Sequence, residues 1–245
     1  MEKKLEIYGA RSIIEAIKAG QDIDKVLLLK SSKSSLTKSL IDLIIKKNIS
    51  HSFVPIQRFE RLKNKNHQGA LAFLSPIKLV NIEELIDNSL KKNGNPTFIL
   101  LDGITDVRNF GAIIRTAVAA NVDGIIISQS NSAPINSDVA KTSAGTLFNI
   151  PISKVNNLKD AVMYLKASNI EVISLTEKAE KSIYERKFDK PLAVILGSED
   201  RGISNSLLTV SDDKVHIPIS SKVDSLNVSV AASIIVFEIL KEKGL

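Results

Sequence analysis

Residues 97–117 read TFILLDGITDVRNFGAIIRTA, an apolar run followed by a polar loop and then by a segment with helical periodicity. Because the first run is apolar throughout and does not alternate with polar residues, it predicts a strand buried on both faces. Three similar runs follow, DGIIIS, EVISLT and LAVILG, and amphipathic segments such as NLKDAVMYLKASN lie between them. Strands that alternate with helices in this way predict a parallel α/β sheet.

The first 78 residues predict a separate, smaller α/β unit. ARSIIEAIKAG and SLTKSLIDLIIKKN have the periodicity of amphipathic helices, and DKVLLLK, HSFVP and GALAFLSP are strand candidates. A polar stretch rich in turn formers, SLKKNGNP, follows at residues 89–96, and the helix-like segment NIEELIDNSLKK that leads into it is a candidate connector. We therefore predict an N-terminal unit over residues 1–78, a linker over 79–96 and the parallel-sheet domain over 97–245.

The charge is unevenly distributed along the chain, whose formal net charge is +6. Residues 1–80 carry 15 Lys and Arg against 7 Asp and Glu, whereas residues 81–245 carry 18 against 20. A local basic excess is expected of a nucleic-acid-binding surface, although a lysine-rich solvated surface gives the same count. If the first unit binds RNA, the candidate phosphate contacts are Arg11, Lys33, Arg58, Arg61 and Lys65.

Several function classes have no support in the sequence. The chain has no cysteine and only three well-separated histidines, so we predict neither a disulfide nor a metal site. The N-terminal MEKKLEIYGARS lacks the apolar segment of a signal peptide, and no apolar run reaches the length of a membrane span, so we expect a cytoplasmic protein. The motifs G-x-G-x-x-G, G-K-[ST] and G-x-S-x-G are all missing, which argues against Rossmann dehydrogenases, P-loop enzymes and α/β hydrolases.

In a parallel sheet, ligands bind beyond the carboxyl ends of the strands. The loop after TFILLD carries Asn109, where the next helix should begin, and leads to Arg115 inside that helix. Because its neighbours are apolar, we expect Arg115 to be partly buried and to pair with an anion such as Glu199, in the loop GSEDRGIS after the strand LAVILG. Alternatively, Asn109 only caps the helix and Arg115 is a surface residue.

A third polar loop precedes VSVAASIIVFEIL, an apolar segment with helical periodicity that begins at Val228. One interpretation makes Ser225 the N-cap of this helix and places Asn227 in its first turn. The other places Ser225, Leu226 and Asn227 at the mouth of a ligand site. In the loop after LAVILG, Gly197 and Gly202 bracket a polar turn whose backbone could approach a ligand closely.

Taken in order, NFGAIIRTA, ILGSEDRGIS and IPISSKVDSLNVSVA resemble the three motifs of the SpoU/TrmH-type RNA 2′-O-ribose methyltransferases of the SPOUT superfamily. KTSAGTLFNIPI resembles the middle segment of that family, and IYGARSIIEAI and HQGALAFL resemble the ends of its L30e-like RNA-binding domain. The resemblance implies a SPOUT domain with a trefoil knot, S-adenosylmethionine as methyl donor and a homodimer formed through the C-terminal domain. The domain order is most similar to that of enzymes that methylate a guanosine of 23S rRNA.

The resemblance also implies roles for individual residues. Arg115 would orient the ribose hydroxyl and stabilise the developing alkoxide, since a guanidinium gives up its proton too reluctantly to act as a base. The remaining catalytic residues would be Asn109, Glu199, Ser225 and Asn227. Those that hold the cofactor would be Leu196, Gly197, Ile217, Ser225, Leu226 and Asn227.

Other functions stay open at this point. The chain could be a tRNA 2′-O-methyltransferase of the same family, a non-catalytic RNA-binding or ribosome-assembly factor, or an α/β nucleotide-dependent enzyme acting on small metabolites. If the first unit grips RNA, deleting residues 1–78 should weaken RNA binding but leave cofactor binding intact.

Overall fold

The chain folds into two compact units in a computed structural model that describes residues 5–21, 23–30, 34–74 and 79–244. The first unit is assigned residues 1–78 and 134–149, and the second residues 79–133 and 150–245. Lys33, one of the candidate phosphate contacts, lies outside the described residues. No helix in the described part of the chain is long and apolar enough to cross a membrane.

The first unit is built on a mixed four-stranded sheet in the order β1-β4-β2-β3, in which only β2 and β3 are parallel. Its helices bury their apolar faces, with Ile13 and Ile17 in the first and Leu40 and Ile44 in the second. The predicted helices and strands of this unit are confirmed, whereas the short β1 was not predicted. The bounds are β1 Leu5–Tyr8, α1 Ala10–Lys18, β2 Ile23–Leu29, α2 Ser35–Lys46, β3 His51–Val54, a 3-10 helix Ile56–Leu62 and β4 Ala70–Leu74.

Most of the predicted linker is a helix of the second unit, α3 (Ile82–Asn93). Its N-cap is Asn81, whose side chain accepts a hydrogen bond from the backbone of Glu83, and Gly94 ends it in the left-handed conformation at φ 66°. Leu85 and Ile86 are buried in the core of the second unit. The turn formers of residues 89–96 therefore mark the end of a packed helix, and the apolar spacing before them gives that helix a face to bury.

The second unit contains a six-stranded sheet in the order β10-β8-β9-β5-β6-β7, with every neighbouring pair parallel. The predicted parallel α/β sheet is thus confirmed, and its central strands are buried along their length as their apolar composition requires. The strands are β5 Thr97–Asp102, β6 Gly124–Ser128, β7 Ile152–Val155, β8 Glu171–Leu175, β9 Leu192–Gly197 and β10 Asp213–Val215. The helices after α3 are α4 Val107–Ala119, α5 Ser137–Thr142, α6 Leu158–Ala167, α7 Asn205–Val210 and α8 Val228–Glu242.

One segment of the predicted C-terminal domain, residues 134–149, groups with the first unit. It consists of α5, which contacts β1, and a 3-10 turn over Thr146–Asn149, which contacts α1. The segment has its own apolar face, since Val139, Ala140 and Leu147 are all buried. Gly145 lies so close to α1 that a Cβ added to it would be 2.5 Å from the Cβ of Glu15. This packing explains why the segment belongs to the first unit although the chain around it belongs to the second.

Candidate functional site

The loops that follow β8, β9 and β10 surround a cavity of about 380 Å³ in the second unit. This volume is within the range of small-molecule sites, about 300–1,000 Å³. The cavity lies at the carboxyl ends of the strands, where the sequence led us to expect the site. Apolar side chains from Leu196, Ile217, Leu226 and Val228 line it together with four carboxylates and two basic groups, which are Glu177, Glu199, Asp200, Asp224, Lys178 and Arg201.

The loop after β9 folds back tightly on itself. The backbone N–H of Gly202 donates to the carbonyl of Ser198 at 2.9 Å, and a Cβ added to Gly197 would lie 2.1 Å from the carbonyl carbon of Gly202. The backbone N–H of Ser204 then donates to the Asp102 carboxylate at 2.8 Å, which ties the loop to the end of β5. Glycine is therefore required at position 197 because the backbone of Gly202 packs against it. The sequence had suggested a different reason, the close approach of the loop backbone to a ligand.

Three polar side chains, one from each of the motif-like loops, meet beside the cavity. The Nδ2 of Asn109 donates to Glu199 Oε1 at 3.2 Å, and the Nδ2 of Asn227 donates both to this oxygen and, at 3.1 Å, to Asn109 Oδ1. The backbone N–H of Val228, at the start of α8, also donates to Glu199 Oε1, at 3.3 Å. A carboxylate at this position is favourable because the N-terminus of a helix carries partial positive charge. We call Asn109, Glu199 and Asn227 the polar trio.

The helix caps differ from those suggested by the sequence. The carboxylate of Asp106 caps α4, because it accepts from the backbone N–H of Arg108 at 2.9 Å and of Asn109 at 2.8 Å. Asn227 caps α8 through its Oδ1, which accepts from the backbone of Ser229 at 3.0 Å. Capping by Asn109 and by Ser225 was therefore wrong. Asn227 both caps α8 and joins the trio, and the exposed Ser225 lines the cavity.

Arg115 is exposed on α4, and the expectation that it is partly buried was wrong. Within the part of the chain that the structure describes, it forms no hydrogen bond or ion pair, so the expected Glu199–Arg115 pair is not formed. Six residues of helix separate Arg115 from Asn109, a rise of about 9 Å and a rotation of about 240°. Asn109 therefore faces Glu199 while the guanidinium of Arg115 is free to contact a ligand from solvent.

The residues expected to hold a cofactor largely surround the cavity. Leu196, Gly197, Ile217, Ser225 and Leu226 line it, and Asn227 contributes through the trio. The loop after β8 was missed. Leu175, Thr176, Glu177 and Lys178 form one wall, and they could have been found because the run EVISLT ends at the same edge of the sheet as LAVILG.

The described candidate phosphate contacts of the first unit are all exposed: Arg11, Arg58, Arg61 and Lys65. Two of them already have an anionic partner. The Arg61 guanidinium is 2.9 Å from a carboxylate oxygen of Glu6, and the Lys65 ammonium is 2.6 Å from one of Asp138. Exposed pairs of this kind contribute little to stability and can exchange partners with a phosphate.

Comparison with known proteins agrees with this architecture. The profile of the SpoU rRNA Methylase family matches residues 96–237, and a profile for RNA 2′-O ribose methyltransferase substrate binding matches residues 7–80. A Staphylococcus saprophyticus protein assigned to the TrmH family of tRNA/rRNA methyltransferases is 31% identical over 244 residues, which cover 99% of this chain and 97% of the relative.

Two solved structures show how far the fold is shared. An AdoMet-bound rRNA methyltransferase from Sinorhizobium meliloti superposes with a TM-score of 0.80 at 22% identity, covering 97% of this chain and 87% of that one. The A. aeolicus TrmH/SpoU tRNA modifying enzyme superposes with a TM-score of 0.54 at 25% identity, covering 66% of this chain and 82% of that one.

A parallel α/β domain with a cavity at the carboxyl ends of β8, β9 and β10, preceded by a small mixed-sheet unit, is the architecture of a two-unit RNA ribose methyltransferase. The chain belongs to the SpoU rRNA methylase family.

Proposed function

We propose that this protein transfers a methyl group from S-adenosylmethionine to a ribose 2′-hydroxyl of RNA, and that its substrate is a guanosine of 23S rRNA. The observation that carries the proposal is the polar trio, which joins the three motif-like loops beside the cavity of the second unit. A module that only binds RNA needs no such cavity, and an enzyme acting on small metabolites needs no basic first unit.

The cavity suits the proposed cofactor chemically. S-adenosylmethionine supplies a methyl group on a positively charged sulfur. The four carboxylates among the lining residues favour a cation over an anion, and the apolar side chains of Leu196, Ile217 and Leu226 offer a surface for an aromatic base. Leu196, Gly197, Ile217, Ser225 and Leu226 would hold the group, and Glu177 is placed to accept hydrogen bonds from hydroxyls of a ligand in the cavity.

Arg115 is the proposed contact to the reacting ribose. Its guanidinium is exposed, so its planar fork of donors can orient the 2′-hydroxyl or a neighbouring phosphate and stabilise negative charge as it develops on the oxygen. Glu199 is occupied with its trio partners and with the start of α8, which makes it a positioning residue. Asn109 and Asn227 would likewise position the edge of the site, while Ser225 would face cofactor and ribose.

The extent of the two-unit fold supports an rRNA substrate over tRNA. The S. meliloti rRNA enzyme matches nearly the whole chain, whereas the tRNA modifying enzyme matches about two thirds of it. The additional unit carries the exposed basic residues Arg11, Arg58, Arg61 and Lys65, which would bind phosphates of the RNA. A tRNA 2′-O-methyltransferase of the same family is the second candidate, because the relatives carry the combined tRNA/rRNA description.

We also propose that the protein is a homodimer through the C-terminal helix α8. Val230 and Phe237 are each 47% exposed and stand seven residues apart, so they lie on one face of the helix. Covering this face would remove two large apolar side chains from water. The trefoil knot implied by the family resemblance stays a prediction for the same domain.

Calorimetric titration with S-adenosylmethionine separates the enzyme from a scaffold that retains the fold. Saturable binding, weakened by Leu226→Asp in the cavity wall but not by Leu79→Asp on an exposed position, supports the proposal. A folded chain that binds no S-adenosylmethionine would contradict it and favour the RNA-binding scaffold.

A further inference from the structure

A cluster of titratable side chains surrounds Tyr8 in the first unit, far in sequence from the residues of the proposed active site. The Tyr8 hydroxyl donates to Asp138 Oδ1 at 2.5 Å, and the Lys65 ammonium donates to both carboxylate oxygens of Asp138, at 2.6 and 2.9 Å. Burial acts to raise the pKa of the Asp138 carboxyl, but the hydrogen bonds from Lys65 and Tyr8 bring it below its usual range. The negative charge of Asp138 is therefore already matched by Lys65.

A second ammonium group in the cluster has no such match. Lys141 is partly buried, and its Nζ lies 6.0 Å from the centroid of the Tyr8 ring. The Nζ of Lys65 lies 5.2 Å from the same centroid. The Nζ of Lys141 lies beside the backbone of Gly9, where a Cβ added to that glycine would clash with Nζ and would lie 3.3 Å from Gln68 Oε1. Among the described residues, no carboxylate or hydrogen-bond acceptor is paired with Lys141, and burial lowers the pKa of its amine. A cation taken partly out of water in this way calls for an anion.

His67 supplies a second donor beside Lys141. Its Nδ1 accepts a hydrogen bond from the backbone N–H of Gly69 at 3.0 Å, which places the proton of the neutral ring on Nε2. The ring stacks on Phe59 at 4.7 Å between centroids, which fixes its orientation. Burial lowers the pKa of His67, and the charge of Lys141 lowers it further, so the two side chains are electrostatic neighbours. Lys141 and His67 both present N–H donors, and neither side chain offers the other a hydrogen-bond acceptor.

We infer that Lys141 and His67 form a binding site for one phosphate group of the RNA backbone. A phosphate oxygen would receive a charge-assisted hydrogen bond from Lys141 and a second bond from the Nε2–H of His67, and its charge would compensate the unmatched ammonium. Lys141 comes from residues 134–149 and His67 from the N-terminal segment, so the site exists only where the two segments pack together. The inference rests on the proposed function, because the phosphate belongs to the RNA that the enzyme would methylate.

The test compares Lys141→Met with Lys46→Met in the full-length chain. Methionine keeps the length of the side chain and removes the charge, and Lys46 is an exposed lysine of α2 in the same unit. Binding of a fluorescent oligouridylate is measured by anisotropy over a range of KCl concentrations. For Lys141→Met we expect weaker binding and a slope of log Kobs against log[KCl] that is shallower by about 0.7, the value for one phosphate contact on a single strand. Lys46→Met should change both quantities less.

Stability distinguishes a ligand site from a structural lysine. Because an unmatched, partly buried charge opposes folding, Lys141→Met should unfold at the same temperature as the wild type or at a higher one in the absence of RNA. A lower midpoint of thermal unfolding for Lys141→Met would overturn the inference. An unchanged slope of log Kobs against log[KCl] would overturn it as well. A matching NMR titration should move the Hε1 signal of His67 when oligouridylate is added. If inorganic phosphate alone moves this signal at lower concentration than oligouridylate does, the site binds a free anion and the RNA assignment is overturned.

The same variants separate this inference from the proposed function. Lys141→Met should bind S-adenosylmethionine as tightly as the wild type. If the wild type transfers methyl groups to RNA while Lys141→Met keeps the wild-type salt slope, only the phosphate site is refuted. If the wild-type chain binds neither oligouridylate nor unmodified 23S rRNA, the phosphate site and the RNA substrate are refuted together.

Discussion

At the scale of single residues, the exposed guanidinium of Arg115 carries the strongest functional claim. Lysine at this position keeps the charge but loses the planar fork of donors. We expect Arg115→Lys to lower kcat by about 10²-fold or more, the usual effect of removing a donor that stabilises a developing oxyanion, with S-adenosylmethionine affinity unchanged. Single-turnover methyl transfer and calorimetry measure the two quantities.

Arg108→Lys is the matched control for this variant, since Arg108 is also exposed on α4 but lies in its first turn. It should retain most of the turnover. Near-normal kcat in Arg115→Lys would refute the role of Arg115 as either base or electrostatic stabiliser.

The sequence predicted which residue types gather at the site better than it predicted their partners. Asn109, Glu199 and Asn227 do meet, but Glu199 bonds to the two asparagines and not to Arg115. Asp106 and Asn109 are both good N-caps three residues apart, and propensity alone does not decide between them. The choice moves the start of α4 by three residues, and with it the direction in which every later side chain of the helix points.

At the scale of elements, the tight loop after β9 makes a sharp prediction for Gly197→Ala. The added methyl group would meet the backbone of Gly202, which can move only if the loop opens. We expect a loss of about 1–3 kcal/mol in the free energy of unfolding and much weaker S-adenosylmethionine binding. Chemical denaturation and calorimetry test the two effects.

Gly202→Ala is the control within the same loop. Gly202 has a φ of +66° with nothing within 4 Å of the added carbon, so this variant introduces backbone strain without a clash. It should retain more cofactor affinity than Gly197→Ala. Equal affinities in the two variants would show that close packing at Gly197 does not shape the site.

The C-terminal end of α8 predicts a pH dependence. The Lys243 ammonium donates to the carbonyls of Asn95 and Pro96 and to Thr97 Oγ1, and burial, opposed by Asp123, lowers its pKa from 10.5 to about 8. Between these two values the unfolded chain holds more protons than the folded one, so the unfolding free energy rises with pH. The stability of the wild type relative to Lys243→Met should therefore increase from pH 8 to pH 10 and be flat below pH 8.

Urea denaturation across this pH range provides the measurement, and Lys91→Met, which removes an exposed lysine of α3, is the control. A stability difference between wild type and Lys243→Met that falls or stays constant above pH 8 would contradict the buried position of the amine.

Long elements with a clear period were predicted correctly, and among the described strands of three or four residues only β3 was predicted. β1, β7 and β10 contain only three or four residues, too few for an apolar pattern to rise above chance, and they form because a neighbouring strand supplies their hydrogen bonds. The helix before Gly94 was expected as a connector between the units, whereas in the structure it packs in the core of the second unit.

At the scale of the whole molecule, the assignment of residues 134–149 to the first unit changes what a truncation should do. The sequence predicts that deleting residues 1–78 leaves cofactor binding intact. The deletion also exposes the buried side chains of Val139, Ala140 and Leu147 to water. Burial of a Val or Leu side chain contributes roughly 1.5–3 kcal/mol to stability, and burial of Ala contributes less. We expect residues 79–245 alone to aggregate or to unfold at a lower temperature.

A second truncation that also replaces residues 134–149 with a flexible linker should be soluble and should bind S-adenosylmethionine with the affinity of the full chain. Both truncations should bind RNA more weakly than the full chain. Size-exclusion chromatography and calorimetry compare the two. Equal solubility and equal thermal midpoints would mean that the segment does not depend on the first unit for its packing. Sequence periodicity did not predict this grouping, because the apolar spacing of a short helix indicates that one face is buried but not which surface covers that face.

The central claim is that this chain methylates a ribose of RNA. The most direct measurement is the transfer of labelled methyl groups from S-adenosylmethionine to unmodified 23S rRNA and to bulk tRNA, with the labelled nucleotide mapped by its resistance to alkali. We predict label at a single guanosine of 23S rRNA, as a 2′-O-methyl group. Label confined to tRNA would preserve the chemistry and contradict the substrate, and the absence of label on both RNAs together with the absence of cofactor binding would contradict the claim itself.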